Sequence, residues 1–125
     1  MNQLGSLVLG LQHIGIPTQR FAETIAFYKS LGFTIIREYD GVAFLSLAGL
    51  SLEVYEIENP ALSPGAIDHI ALNVSDIQAT YTAVRSLGYR ELESGIQTLP
   101  FFTKGVSYFT IIGPNAENIE FAQYL

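Results

Sequence analysis

The chain has 125 residues, 49% of them hydrophobic, which suits one compact domain or two small modules sharing a core. Six Lys and Arg against twelve Asp and Glu leave a net charge of −6, with no basic cluster to neutralise phosphates, so nucleic acid and anionic membrane are excluded as partners. Cysteine is absent, which rules out disulfides, thiolate metal sites and cysteine nucleophiles and leaves any metal to His and carboxylate.

In chain order, residues 6–16 carry the alternation of a strand, with Pro17-Thr18 as punctuation. A helix follows, since Phe21, Ile25, Tyr28 and Leu31 fall at helical spacing and Gly32 stands where a C-terminal cap belongs. Three strands then fit at about residues 33–39, 42–47 and 51–57, separated by Asp40-Gly41, a two-residue hairpin signal, and by Ala48-Gly49. Residues 59–65 contain two prolines and a glycine and read as a linker. The order then recurs: a strand at 67–74, Ser75 or Asp76 as the N-cap of a helix to Leu87, Gly88 as its end, and a strand at 89–92. Residues 93–105 form a longer connection, the kind of place where binding loops sit, before strands at 106–112 and 118–124. No basic leader or membrane-length apolar run is seen, so no signal peptide or transmembrane helix is expected, and the expected location is cytoplasmic.

That recurrence is a tandem repeat. Sliding the sequence along itself by 56 positions pairs His13 with His69, Ile14 with Ile70, Thr24 with Thr80, Ser30 with Ser86, Leu31 with Leu87 and Gly32 with Gly88 without a gap. The fold expected is α+β: two βαβββ modules, residues 6–58 and 66–125 around the linker 59–65, forming curved mixed sheets about a central site. Aligning the closing strands sets Glu53 against Glu120. Each module thus carries a His on its first strand and a Glu on its last, on the polar faces, and each His is followed on its own face by Gly15 or Ala71. His13, Glu53, His69 and Glu120 are therefore candidate ligands for a divalent ion, two neutral nitrogens and two carboxylates suiting a borderline metal. Phe44, Tyr55, Phe101, Phe102, Tyr108 and Phe109 are candidate pocket aromatics, and Lys104, in a Gly-flanked loop, is a candidate for a substrate carboxylate or phosphate.

Across essentially its whole length the chain resembles the vicinal oxygen chelate superfamily, which includes glyoxalase I, bleomycin-resistance proteins, extradiol dioxygenases and methylmalonyl-CoA epimerase. The resemblance is carried by His13-Ile14-Gly15-Ile16, by residues 27–33, by Asp68-His69-Ile70-Ala71-Leu72-Asn73-Val74 and by residues 113–121. The order His, Glu, His, Glu resembles the metal site of glyoxalase I. This implies one divalent ion per site, zinc, nickel or cobalt, held by His13, Glu53, His69 and Glu120, and a lyase or isomerase acting on a small dicarbonyl-derived substrate through a metal-stabilised enediolate. Glu120 would be both ligand and proton-shuttling base, with Glu53 its repeat equivalent, and Lys104, Phe101, Phe102, Tyr55 and Tyr108 would contact substrate. The resemblance also implies a homodimer. Pro17 and Ile57 stand where bacterial glyoxalase I has an Arg and an Asn for glutathione, and Val106 replaces the second glycine of its Lys-Gly-Gly loop. Two other functions fit the same scaffold: a metal-free ligand-sequestering protein of bleomycin-resistance type, and an iron-dependent dioxygenase or an epimerase.

Overall fold

A computed structural model describes residues 3–125. A short helix α1 (Gln3–Leu7) precedes β1 (Ile14–Thr18), α2 (Phe21–Ser30), β2 (Thr34–Tyr39), β3 (Val42–Leu47) and β4 (Leu50–Glu56). The second module comprises β5 (His69–Asn73), α3 (Ile77–Arg85), β6 (Arg90–Glu91), β7 (Gln97–Leu99), β8 (Val106–Ile112) and β9 (Asn118–Tyr124). The sheets have matching orders, β1-β4-β3-β2 and β5-β9-β8-β6, and the first and last strands of each module run parallel while the other pairs are antiparallel. The fold is thus α+β with two mixed sheets.

Three expectations change. Residues 6–13 are not strand, so His13 lies just ahead of β1: with Ile14 level with Leu52, and β4 beginning at Leu50, backbone before about residue 12 has no ladder to join. Pro17 lies inside β1 rather than ending it, which an edge strand tolerates because the missing N–H faces away from its one neighbour. In the second module the connection 93–105 is not one long loop, since β7 folds back along β8 and pairs Leu99 with Val106.

Alternation gives each sheet one apolar face. Ala43, Leu45, Leu52 and Val54 of the first sheet are fully buried, as are Phe109, Ile111 and Ile119 of the second, with Phe121 stacked on Phe109 at 5.0 Å. Phe27 and Tyr28 of α2 and Ile77 and Val84 of α3 close the same core. The Asp76 side chain caps α3 by accepting from the Ala79 N–H at 3.0 Å. The turn after α2 requires Gly32, whose φ of 108° lies in the region that favours glycine.

The two modules meet at a buried polar joint. Asn115, in the turn between β8 and β9, accepts from the Thr18 hydroxyl at 2.6 Å and donates to Thr24 at 2.9 Å. The Tyr28 hydroxyl donates to Glu117 at 2.9 Å, and Phe27 packs edge-on against Tyr89. A Cβ at Gly113 would meet the Glu117 carboxylate at 2.5 Å, so a larger residue there must push that carboxylate away from Tyr28 and Asn115. No helix among the described residues is long and apolar enough to cross a membrane.

Asn115→Ala would remove the buried bonds to Thr18 and Thr24 while leaving those hydroxyls bonded to each other and to the Arg20 backbone, and it should cost about 1–2 kcal/mol by urea denaturation; a loss below about 0.5 kcal/mol, the scale of a neutral surface change, would contradict this. Burial, then the charge and hydrogen bond of Glu117, raise the Tyr28 hydroxyl well above its ordinary 10.0. Its contribution is therefore complete below pH 10.0 and is lost as pH rises past that value, since the unfolded chain ionises first. Tyr28→Phe should make the alkaline unfolding midpoint less steeply dependent on pH.

Candidate functional site

The parallel pairing of each module's outer strands builds the site. In the first sheet Gly15 lies level with Glu53, and His13 stands two residues before Gly15, just ahead of the strand, so imidazole and carboxylate meet over a residue with no side chain. The second sheet repeats this with Ala71 level with Glu120 and His69 two residues earlier. The outcome is the same twice: Nε2 of His13 lies 3.6 Å from Oε1 of Glu53, and Nε2 of His69 lies 3.6 Å from Oε1 of Glu120.

These distances fit a shared ion. Donors at about 2.1 Å from a tetrahedral zinc are about 3.4 Å from each other, so each pair spans nearly the edge that one metal would need. The two pairs do not converge within a chain, and among the described residues no group of three His, Asp or Glu side chains is placed to hold a metal. The chain therefore presents two separate His–Glu pairs.

The halves are not electrostatically identical. The Glu120 side chain is 20% exposed against 31% for Glu53. Burial raises the Glu120 carboxyl above its ordinary range, His69 opposes this, and the charge of Glu93 adds to it. Glu93 follows the short strand β6, with Leu92 donating to the Thr110 carbonyl and Thr110 level with Glu120. Its Oε1 is shielded from solvent with no hydrogen-bond partner.

Of the candidate substrate contacts, Tyr55 lies beside the first pair, its ring standing 3.4 Å from where a Gly15 Cβ would be. Tyr108 is level with Ala122 and so shares the Glu120 face. Phe44 meets the His13 ring edge-on at 6.1 Å, while Phe109 is buried in the core. Phe101, Phe102 and Lys104 occupy the exposed tip joining β7 to β8. That tip begins level with Tyr124, four residues past Glu120, on the order of 13 Å along the strand. Phe102 packs there on Tyr124. Sequence reasoning overlooked Glu93, and it overlooked Gln12 and Asp68, whose side chains contact the histidine rings. The available signal was a polar residue immediately before each His.

The description of a known family, the glyoxalase/bleomycin resistance protein/dioxygenase superfamily, matches residues 10–98, most of the chain and three of the four candidate ligands. The chain belongs to this superfamily. Uncharacterized protein YwbC of Bacillus subtilis (strain 168) is 33% identical over 90% of this chain and 96% of its own length. A bleomycin resistance protein of Klebsiella pneumoniae is also 33% identical, over 64% of this chain and 63% of its own. Among solved structures, the glyoxalase family protein from Enterococcus faecalis superposes with a TM-score of 0.78 at 19% identity, covering 93% of this chain and 98% of the other.

Because Glu120 is partly desolvated and faces a second carboxylate, a neutral isostere should relieve the metal-free protein. Glu120→Gln should raise its melting temperature by roughly 1–3 °C at neutral pH in the presence of chelator. A fall of several degrees would show that the carboxylate holds the fold instead.

Proposed function

We propose that this protein is a metal-dependent isomerase or lyase of glyoxalase type acting on a small dicarbonyl-derived substrate. Each centre would combine His13 and Glu53 of one copy with His69 and Glu120 of a second. The observation that carries this reading is the pair of repeat-equivalent His–Glu contacts, each with the span of one ion's coordination edge, which do not meet inside a chain. Exposed aliphatics support a covering partner: Leu11 and Ile67, each two residues before a His, are 73% and 81% exposed at equivalent positions.

A zinc, nickel or cobalt ion held by the four side chains would supply Lewis-acid polarisation of vicinal substrate oxygens. The protein's own task is to move a proton between adjacent carbons, which needs a base within hydrogen-bond reach of both. Glu120 is assigned that task because it is the better shielded glutamate and shares its face with Tyr108, while Glu53 beside Tyr55 completes the ligand set and orients substrate. With Pro17 and Ile57 at two glutathione-recognition positions, a thiol adduct other than that of glutathione is the substrate favoured.

The likeness to the Klebsiella pneumoniae protein favours a second reading, ligand sequestration without chemistry. Saturable binding of bleomycin by chelator-treated protein, with no turnover of any thiol and dicarbonyl pair, would select it.

Protein purified without chelator and reloaded with zinc, nickel or cobalt should hold about one ion per chain, and chelation should lower its melting temperature, because an ion bound only by the folded state stabilises it. Trace occupancy with every ion would defeat the reading. Sedimentation should give a dimer at micromolar concentration. With methylglyoxal and a panel of thiols, Glu120→Gln should lower turnover about 100-fold, the usual scale for losing a general base, with a smaller loss of metal affinity. Near-normal turnover in that variant, with Glu53→Gln inactive, would exchange the two roles.

A further inference from the structure

We infer that Gln12 and Asp68 are positioning residues that set which nitrogen of each histidine faces its glutamate, and that Asp68 makes His69 the stronger donor of the two. Nδ1 of His13 lies 3.1 Å from Oε1 of Gln12, and Nδ1 of His69 lies 3.0 Å from Oδ2 of Asp68. An ionised carboxylate can only accept, so the proton of a neutral His69 ring sits on Nδ1, and Nε2 is left with its lone pair towards Glu120. With its carbonyl oxygen towards the ring, Gln12 holds His13 in the same tautomer, less firmly than a carboxylate because an amide can also turn its NH2 towards a bare Nδ1.

The contact depends on where the strands begin. Inside a strand, neighbouring side chains point to opposite faces and cannot meet. Gln12 and His13 precede β1, which starts at Ile14, and Asp68 precedes β5, which starts at His69, so the backbone there is free of the pleat. The side chain of Asn118, level with His69, donates to the Asp68 carbonyl at 3.3 Å and tethers that residue to β9. The repeat has thus placed two chemically different side chains, an amide and a carboxylate, in one role. A carboxylate accepts the Nδ1–H in a charge-assisted hydrogen bond that an amide cannot match, which makes the two contacts unequal. Asp68 is 66% exposed and His69 45%, so the contact is weak in water and strengthens when a second copy covers it.

What the lone pairs serve rests on the metal reading above, so the test has two arms. Long-range proton–nitrogen NMR of the metal-free protein in mildly alkaline buffer should show both rings protonated on Nδ1. Asp68→Ala should move His69 towards the Nε2–H form and leave His13 unchanged, Gln12→Ala should do the reverse, and Asp68→Asn, which keeps an acceptor oxygen, should restore the original tautomer. A His69 ring already protonated on Nε2, or unmoved by Asp68→Ala, overturns the positioning role. In zinc calorimetry, Asp68→Ala should weaken binding by about 10–100-fold, and Asp68→Asn by less. Gln12→Glu should tighten it. Equal affinities across these variants overturn the donor-strength claim. A wild-type protein that takes up no zinc overturns the metal reading and that claim together, while the tautomers judge positioning on their own.

Discussion

The parallel pairing of first strand to last strand within each module is the constraint on which the site depends. It sets Gly15 beside Glu53 and Ala71 beside Glu120, and so brings each glutamate to the histidine two residues back along the neighbouring strand. A slip of one residue would turn Glu53 or Glu120 into the core and expose Leu52 and Val54, or Ile119 and Phe121. Burial of those aliphatic faces is worth about 25 cal/mol per Å², so it holds the register against the cost of keeping half-shielded carboxylates on the other face. The apolar core and the polar site are therefore two faces of one ladder.

The joint between modules governs how the halves are presented. Asn115 links β1 to α2 through Thr18 and Thr24, and Glu117 reaches Tyr28, so the turn between β8 and β9 is bonded into the first module. These groups are satisfied by one another, which makes the arrangement of the two sheets specific rather than a general apolar contact. With the modules joined in this way, the His13–Glu53 and His69–Glu120 pairs of one chain do not converge, which is why the proposed function draws the other pair from a second copy.

Much of this was legible in the sequence because duplication shows each feature twice. The shift of 56 residues located both histidines and both helix ends at Gly32 and Gly88, and aligning the two closing strands paired Glu53 with Glu120. The Asp40-Gly41 hairpin and β9 followed from local turn chemistry. What could not be read depends on long-range partners. The alternation of residues 6–12 matches a strand, yet a strand needs a neighbour and β4 starts too late to supply one. Residues 93–105 resemble an open loop until β8 offers β7 an edge, and that pairing carries Lys104, Phe101 and Phe102 to a tip beyond the sheet. The contacts of Gln12 and Asp68 were hidden because strand alternation assigns adjacent side chains to opposite faces, and only the exact start of each strand releases them.

Mixing two inactive copies tests the shared centre most directly. One copy would carry His13→Ala with Glu53→Gln, the other His69→Ala with Glu120→Gln, each with a different affinity tag so that the mixed dimer is purified alone. If centres form between copies, the mixed dimer regains one intact centre of two, with about half the wild-type metal content and turnover, while each parent dimer has neither. A mixed dimer as empty as its parents, beside a wild type that holds metal, would show that His13, Glu53, His69 and Glu120 are not shared in this way.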